Sequence, residues 1–207
     1  MPTHYVSRKR RMLLISLRCC ALGLVVALTL ALLGEAGPAA HAATAQVRQD
    51  VDYPTPIRLQ IPSLHIDAPI ELLGVDDLGG MESPASPDDV GWFAPGFLPG
   101  TPGNAVIAGH VDWVDRAAIF WFVRDLQPGD EVDVLFDDGS FVSFAVDQVV
   151  DYPDGDVPMD EVFGPSDQSH LNLITCDGVF NRATHNYDHR TVVYTTQVPP
   201  VLPGPEE

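Results

Sequence analysis

From Ile57 to Thr196 the chain is broken every few residues by glycine, proline or aspartate, and most of the stretches between those breaks alternate apolar and polar side chains. A side-chain period of two is the period of a strand. Ile57-Arg58-Leu59-Gln60-Ile61 alternates, so does Ala68–Leu73, and Asn104–Gly109 is a compact apolar run. Glu131–Phe136 leads into Asp137-Asp138-Gly139, a hairpin turn sequence, after which Ser140–Val150 alternates again. Leu171–Thr175 and Thr191–Thr196 are the last two strands. Helical signals are weak. Ala117–Val123 has the length of two turns, and Pro158–Phe163 that of one turn opened by proline. Many short strands joined by turns predict a mainly β domain whose sheet closes into a barrel, with one or two short helices.

Four parts follow along the chain: an N-terminal membrane anchor or signal segment (1–34), a linker (35–56), one catalytic domain (57–197) and a disordered tail (198–207). The tail holds four prolines and ends in two glutamates. The N-terminal part opens with Arg8-Lys9-Arg10-Arg11, and Met12–Leu33 is then apolar except for Ser16 and Arg18. A helix of that length spans roughly 33 Å, about one hydrocarbon core. The basic cluster keeps the N-terminus in the cytoplasm and sends the remainder outside, as a single-pass protein of the cell membrane. Ala40-His41-Ala42 also fits a signal-peptide cleavage site, and Arg18 shortens the clean apolar run to Cys19–Leu33. Retained anchor and cleaved, secreted domain both stand open, and both place the domain outside the cytoplasmic membrane.

The formal net charge is −18, and no lysine follows Lys9. An acidic surface repels phosphate backbones, so nucleic acid is excluded as a partner. The acidity otherwise serves solubility. Of the three cysteines, Cys19 and Cys20 lie in the apolar run, which leaves Cys176 alone in the domain and without an internal disulfide partner.

The chemistry sits in a few local patterns. In Ala105-Val106-Ile107-Ala108-Gly109-His110-Val111-Asp112 a buried strand ends at Gly109 and presents His110 at its tip, suited to general acid–base work. In Asn172-Leu173-Ile174-Thr175-Cys176-Asp177-Gly178 an apolar strand delivers the lone cysteine to a strand–loop junction, which favours a reactive thiol over a core one. In Tyr187-Asp188-His189-Arg190-Thr191 an arginine opens the next strand. If those two strands pair antiparallel across a loop at 177–189, Cys176 and Arg190 face each other, and the guanidinium fork is available to a carbonyl or its oxyanion. The strands of His110 and Cys176 must then run parallel, with Arg190 on the far side of Cys176. The glycine- and proline-rich stretch Gly91–Gly103 borders a peptide groove or covers one barrel end.

Gly-His-Val-Asp at 109–112, Leu-Ile-Thr-Cys at 173–176 and Asp-His-Arg-Thr-Val-Val at 188–193, in this order, resemble the sortases, most closely the actinobacterial class E/F group. The resemblance extends over about 57–197. It implies an eight-stranded sortase barrel and a catalytic Cys176–His110–Arg190 set, with Thr175 at the family's threonine before the cysteine, in contact with substrate. It implies cleavage of the C-terminal sorting signal of a surface protein between Thr and Gly, then transfer to a cell-wall precursor amine at the cytoplasmic membrane.

No cofactor is expected. The acidic run Asp151–Asp156 lacks EF-hand spacing and reads as a solvated loop. His185 and His189 lie four apart in an expected loop with no further zinc ligand nearby. Leu98-Pro99-Gly100-Thr101-Pro102 superficially resembles a sorting signal, but Pro102 stands at the glycine position. Two other classes compete for the same residues. An L,D-transpeptidase would carry a Ser-His-Gly-Cys type element, where this chain has Ile-Thr before the cysteine. A non-catalytic extracellular β-barrel binding module would leave Cys176 inert.

Overall fold

The computed structural model describes residues 53–199. The basic and apolar N-terminal segment, the Ala40-His41-Ala42 sequence that fits a cleavage site and most of the tail lie outside those residues. Among the described residues no helix is long and apolar enough to cross a membrane.

Eight strands form: β1 (Pro56–Ile61), β2 (Ile66–Leu73), β3 (Val90–Phe93), β4 (Gly103–Gly109), β5 (Glu131–Phe136), β6 (Phe141–Pro153), β7 (Ser169–Asn181) and β8 (Asn186–Gln197). One short helix, α1 (Met159–Phe163), lies between β6 and β7. The strands close into a barrel in the order β1-β2-β3-β4-β7-β8-β6-β5. This is the expected mainly β, closed eight-stranded architecture, with a single α-helix among the described residues. β2 pairs with β3 and β4 with β7 in parallel; the other neighbours are antiparallel.

Alternation explains the inward faces. On β5, Val132, Val134 and Phe136 are buried while Glu131, Asp133 and Leu135 are less so. The turn after β5 closes as its sequence predicts: Gly139 (φ +84°) donates to Phe136 O at 3.0 Å, and Phe136 donates to Ser140 O at 2.9 Å. β4 does not alternate because both its faces are covered. Ala105 and Ile107 join the barrel core, whereas Val106 packs with Val162 of α1 and Val192 of β8. Each large apolar side chain buried this way contributes about 1.5–3 kcal/mol relative to exposure. Two asparagines from the sheet hold the end of α1 in place. Asn172 Nδ2 donates to Val162 O and Asn104 Nδ2 to Gly164 O, each at 2.8 Å. These bonds satisfy carbonyls that a helix C-terminus leaves without partners.

The structure departs from the sequence expectations in three places. β3 takes Gly91-Trp92-Phe93 out of the glycine-rich stretch; at four residues it is too short for a period to register. The helix expected at Ala117–Val123 does not form. Ala118 and Phe120 donate instead to Val111 O and His110 O, at 3.1 and 2.9 Å, tying the segment back to the end of β4. Only a 3₁₀ turn at Val123–Asp125 follows. Phe120 is fully buried, and a Cβ on Gly109 would come within 2.5 Å of its ring. Glycine there lets the ring close over the strand end. The third departure is at 177–189, which is a hairpin arm and not a loop. β7 continues to Asn181, β8 starts at Asn186, and Phe180 pairs with Tyr187. Asp177-Gly178 is a bulge and not the start of a loop: the pairing register shifts between Asp177 and Phe180, and the Val179 amide donates to Asp188 Oδ1 at 2.6 Å.

Candidate active site

The pairing pattern brings the three candidate side chains together. β4 runs parallel to β7, with Ala108 opposite Ile174, so His110 leaves β4 beside the Cys176 stretch of β7. Cys176 and Arg190 are direct cross-strand partners in the antiparallel β7–β8 pair. The parallel arrangement and the order His110, Cys176, Arg190 across the sheet are as expected. Cys176 and Arg190 are not at strand ends, however; both lie inside strands, at the base of the hairpin arm. His110, Thr175, Cys176 and Arg190 line one cavity of about 470 Å³, together with apolar side chains such as Phe163, Ile174 and Phe180.

Arg190 is held at several atoms. Its Nη1 donates to Tyr187 O at 3.1 Å and to His189 O at 2.8 Å, and its Nη2 donates to Asn186 Oδ1 at 2.7 Å. Asp154 Oδ1 lies 3.3 Å from the same Nη2. Asn186 Nδ2 in turn donates to Asp154 Oδ2 at 2.8 Å, closing a small network. Nε is the guanidinium nitrogen with no acceptor among the described residues, which leaves it free to donate to a ligand oxygen. The ion-pair partner is Asp154 and not the sequence neighbour Asp188, whose carboxylate accepts from Val179 and His189. Asp154 comes from the acidic run expected to be a solvated loop. Nothing in its sequence spacing marks it as a partner of Arg190; the pairing of β6 with β8, Pro153 opposite His189, does.

Cys176 is half-buried and free. Burial pushes its thiol above the ordinary value. The Arg190 charge pulls it down, while Asp154, Asp112 and Asp177 push it further up. The resting group at neutral pH is therefore the thiol, and attack on a carbonyl requires removal of its proton. The rate of Cys176 alkylation by a small thiol reagent is expected to rise with pH through a midpoint above that of an ordinary cysteine. Arg190→Gln removes the charge that favours thiolate and should move the midpoint up. Asp177→Asn removes one that opposes it and should move it down. A midpoint unchanged in both variants would refute this account of the thiol.

His110 donates from Nε2 to Pro84 O at 2.8 Å, because a carbonyl can only accept. Its ring meets Trp113 edge-on, with centroids 5.0 Å apart. Thr175 is buried, and its hydroxyl donates to Gly109 O at 2.8 Å. Although it borders the cavity, its proton is committed to the residue just before His110, so it locks β7 to the tip of β4. Asp177, for which the sequence suggests no role, pins the base of the arm. Its Oδ2 accepts from Thr191 Oγ1 at 2.7 Å, and its Oδ1 accepts from Arg124 Nη1 at 3.0 Å. Tyr187 OH donates to Asp112 Oδ2 at 2.5 Å, and burial together with that carboxylate pushes the phenol up to about 12. The phenol thus stays a donor and ties the arm to the segment after His110. These cross-chain partners are separated by long stretches of sequence, so no local motif announces them.

His189 pairs with Asp188 at 2.9 Å and faces Asp151 at 3.9 Å. Among the described residues no group of three or more histidine, cysteine, aspartate or glutamate side chains is arranged to hold a metal ion.

Residues 59–198 match the family model for the sortase domain. The structure is similar to that of sortase C-1 from Actinomyces oris, with a TM-score of 0.56 and 25% identity over 70% of this chain and 76% of that one. It is also similar to sortase C from Streptococcus pneumoniae, with a TM-score of 0.56 and 20% identity over 72% of this chain and 70% of that one. For a lid mutant of sortase A from Corynebacterium diphtheriae the TM-score is 0.55, with 22% identity over 73% of this chain and 74% of that one. No curated protein matches the sequence.

Proposed function

This chain belongs to the sortase family, and from that premise we propose that it is a cysteine transpeptidase that cleaves an LPxTG-like C-terminal sorting signal and transfers the surface protein to a cell-wall amine. The observation that carries this reading is the shared cavity: Cys176 opposite Arg190 on β7 and β8, with His110 at the tip of the parallel neighbour β4.

The chemistry follows from those positions. Cys176 gives its proton to His110, and Sγ attacks the threonine carbonyl carbon of the sorting signal. The carbonyl oxygen becomes an oxyanion, and Arg190 donates to it from Nε; a comparable donor is worth about 2.7–4 kcal/mol of transition-state stabilisation. The C–N bond breaks, His110 protonates the departing glycine amine, and a thioester remains on Cys176. An incoming amine then attacks the thioester, His110 accepts its proton, and the thiol is restored. Apolar walls from Phe163, Ile174 and Phe180 suit an extended peptide that needs pockets more than charge.

We place the domain outside the cytoplasmic membrane, on the basic cluster Arg8–Arg11 ahead of the apolar run Met12–Leu33. The three motifs at 109–112, 173–176 and 188–193 favour the class E/F group. The test is to incubate the protein with a panel of sorting-signal peptides and a small amine, and to follow intact mass. At least one LPxTG-like peptide should add its acyl portion to Cys176 and then appear joined to the amine. Absence of an acyl-enzyme with every peptide, in protein whose Cys176 still reacts with a thiol reagent, would overturn the proposal.

A further inference from the structure

The carbonyl that receives the His110 proton belongs to a peptide group that is itself engaged on its other side. Pro84 C=O and Ala85 N–H are the two ends of one peptide unit. The oxygen accepts from His110 Nε2 at 2.8 Å. The amide hydrogen is donated to the Glu71 carboxylate, at 3.0 Å to Oε2 and 3.2 Å to Oε1. Glu71 lies on β2, so its position is set by the barrel and not by the segment it holds.

We infer that Glu71 is a positioning residue for His110, acting through the Pro84–Ala85 peptide. The chain of contacts runs carboxylate, amide N–H, amide C=O, imidazole Nε2–H. It has the logic of an acid–histidine pair in a catalytic triad, with a peptide group placed between the two members. A carboxylate on the amide hydrogen polarises the carbonyl and makes it a stronger acceptor, since linked hydrogen bonds reinforce one another. The carbonyl in turn fixes the ring's tautomer: the hydrogen is on Nε2, and Nδ1 is the nitrogen left to accept a proton. Pro84 is buried and its contact with His110 is part-buried, whereas the Glu71–Ala85 contact is exposed.

The segment bearing the peptide is held at other points as well. The Gly74 amide donates to Glu82 Oε2 at 2.7 Å, and the Ile119 amide donates to Pro87 O at 2.9 Å. Arg116 makes a two-pronged contact with Asp88, at 2.7 and 2.6 Å. Glu71 differs from these tethers in touching the peptide unit that His110 touches.

The inference rests on the transpeptidase reading only for its kinetic consequence, and the experiment separates the two. In the full chain with 15N-labelled histidine, the ring nitrogen shifts of His110, assigned by their loss in His110→Gln, report which nitrogen carries hydrogen while the ring is neutral. The wild-type ring should be a single Nε2–H tautomer. Glu71→Ala should give a mixture of tautomers and slow acylation of Cys176 by about tenfold at unchanged KM, well short of the 10²–10⁴-fold that general acid–base catalysis supplies in full. Glu71→Gln keeps an acceptor oxygen and should lie closer to wild type on both counts. Asp88→Asn loosens the same segment without touching the Pro84–Ala85 peptide and should keep the wild-type shifts. Unchanged shifts in Glu71→Ala would overturn the assignment, as would shifts moved equally far by Asp88→Asn. Shifts that respond to Glu71 in a protein that cleaves no sorting peptide would sustain the positioning role and remove the transpeptidase reading.

Discussion

Replacing Cys176 by alanine is expected to reduce cleavage of a sorting-signal peptide by about 10⁴-fold or more while the domain stays folded. Cys176 is the only thiol of the domain, so no neighbouring sulfur can take over the attack. Its side chain borders the cavity instead of filling the core, and its loss should cost stability no more than the roughly 1 kcal/mol typical of a point substitution. Initial rates measured beside a thermal melt test both halves of the statement. Turnover within tenfold of wild type in a folded Cys176→Ala protein would remove covalent catalysis from the account.

Arg190→Lys is expected to lower kcat by about 10²–10³-fold, the effect of losing one well-placed oxyanion donor. Lysine keeps the positive charge but replaces a planar fork with a single nitrogen. Arg190 spans Tyr187 O, His189 O, Asn186 Oδ1 and Asp154 at once, and those contacts orient the free Nε. An ammonium on a flexible stem cannot satisfy them together and also aim a donor into the cavity. KM should change less than kcat, because the oxyanion exists only after attack begins. Near-normal kcat in Arg190→Lys would mean that a diffuse positive field is all this position supplies.

The sequence made most of the barrel legible because the inner wall of a barrel is written as alternation. β5 shows this plainly, and the Asp137-Asp138-Gly139 turn joins it to β6; in β1 and β6 the alternation holds only on one side of a register shift, and Ile57 is exposed. β4 was legible for a different reason, as a continuous apolar run, and its burial on both faces explains that pattern. Where the expectation failed, a side chain replaced a backbone rule. The helix at Ala117–Val123 loses to amides bonded back onto His110 and Val111, with Phe120 buried beneath. The supposed loop at 177–189 is a bulged hairpin because the Asp188 carboxylate satisfies the Val179 amide that the bulge leaves unpaired. The candidate side chains stood out by residue type: a lone cysteine, a histidine after a glycine and an arginine in a chain poor in cations. Their supports did not. Asp154, Asn186, Glu71 and the Pro84 carbonyl reach the site through strand pairing and loop packing, which leave no fixed spacing along the chain.

The place of β8 in the barrel sets when the candidate site can come into being. Strand order puts β8 between β7 and β6, although it is the last strand along the chain. Until its twelve residues dock, β6 and β7 each expose an unpaired edge, Cys176 faces no guanidinium, and the ring remains open. Pairing of β8 with β7 is a local hairpin, but its pairing with β6 is remote in sequence and forms more slowly, because a longer loop must close before it is rewarded. A nascent or truncated chain that ends before β8 carries the thiol without the guanidinium that faces it. On the proposed reading, the arrangement of Cys176 and Arg190 is complete only once the final strand has joined both its neighbours, so a chain that stops short of it has little means of attacking a peptide bond.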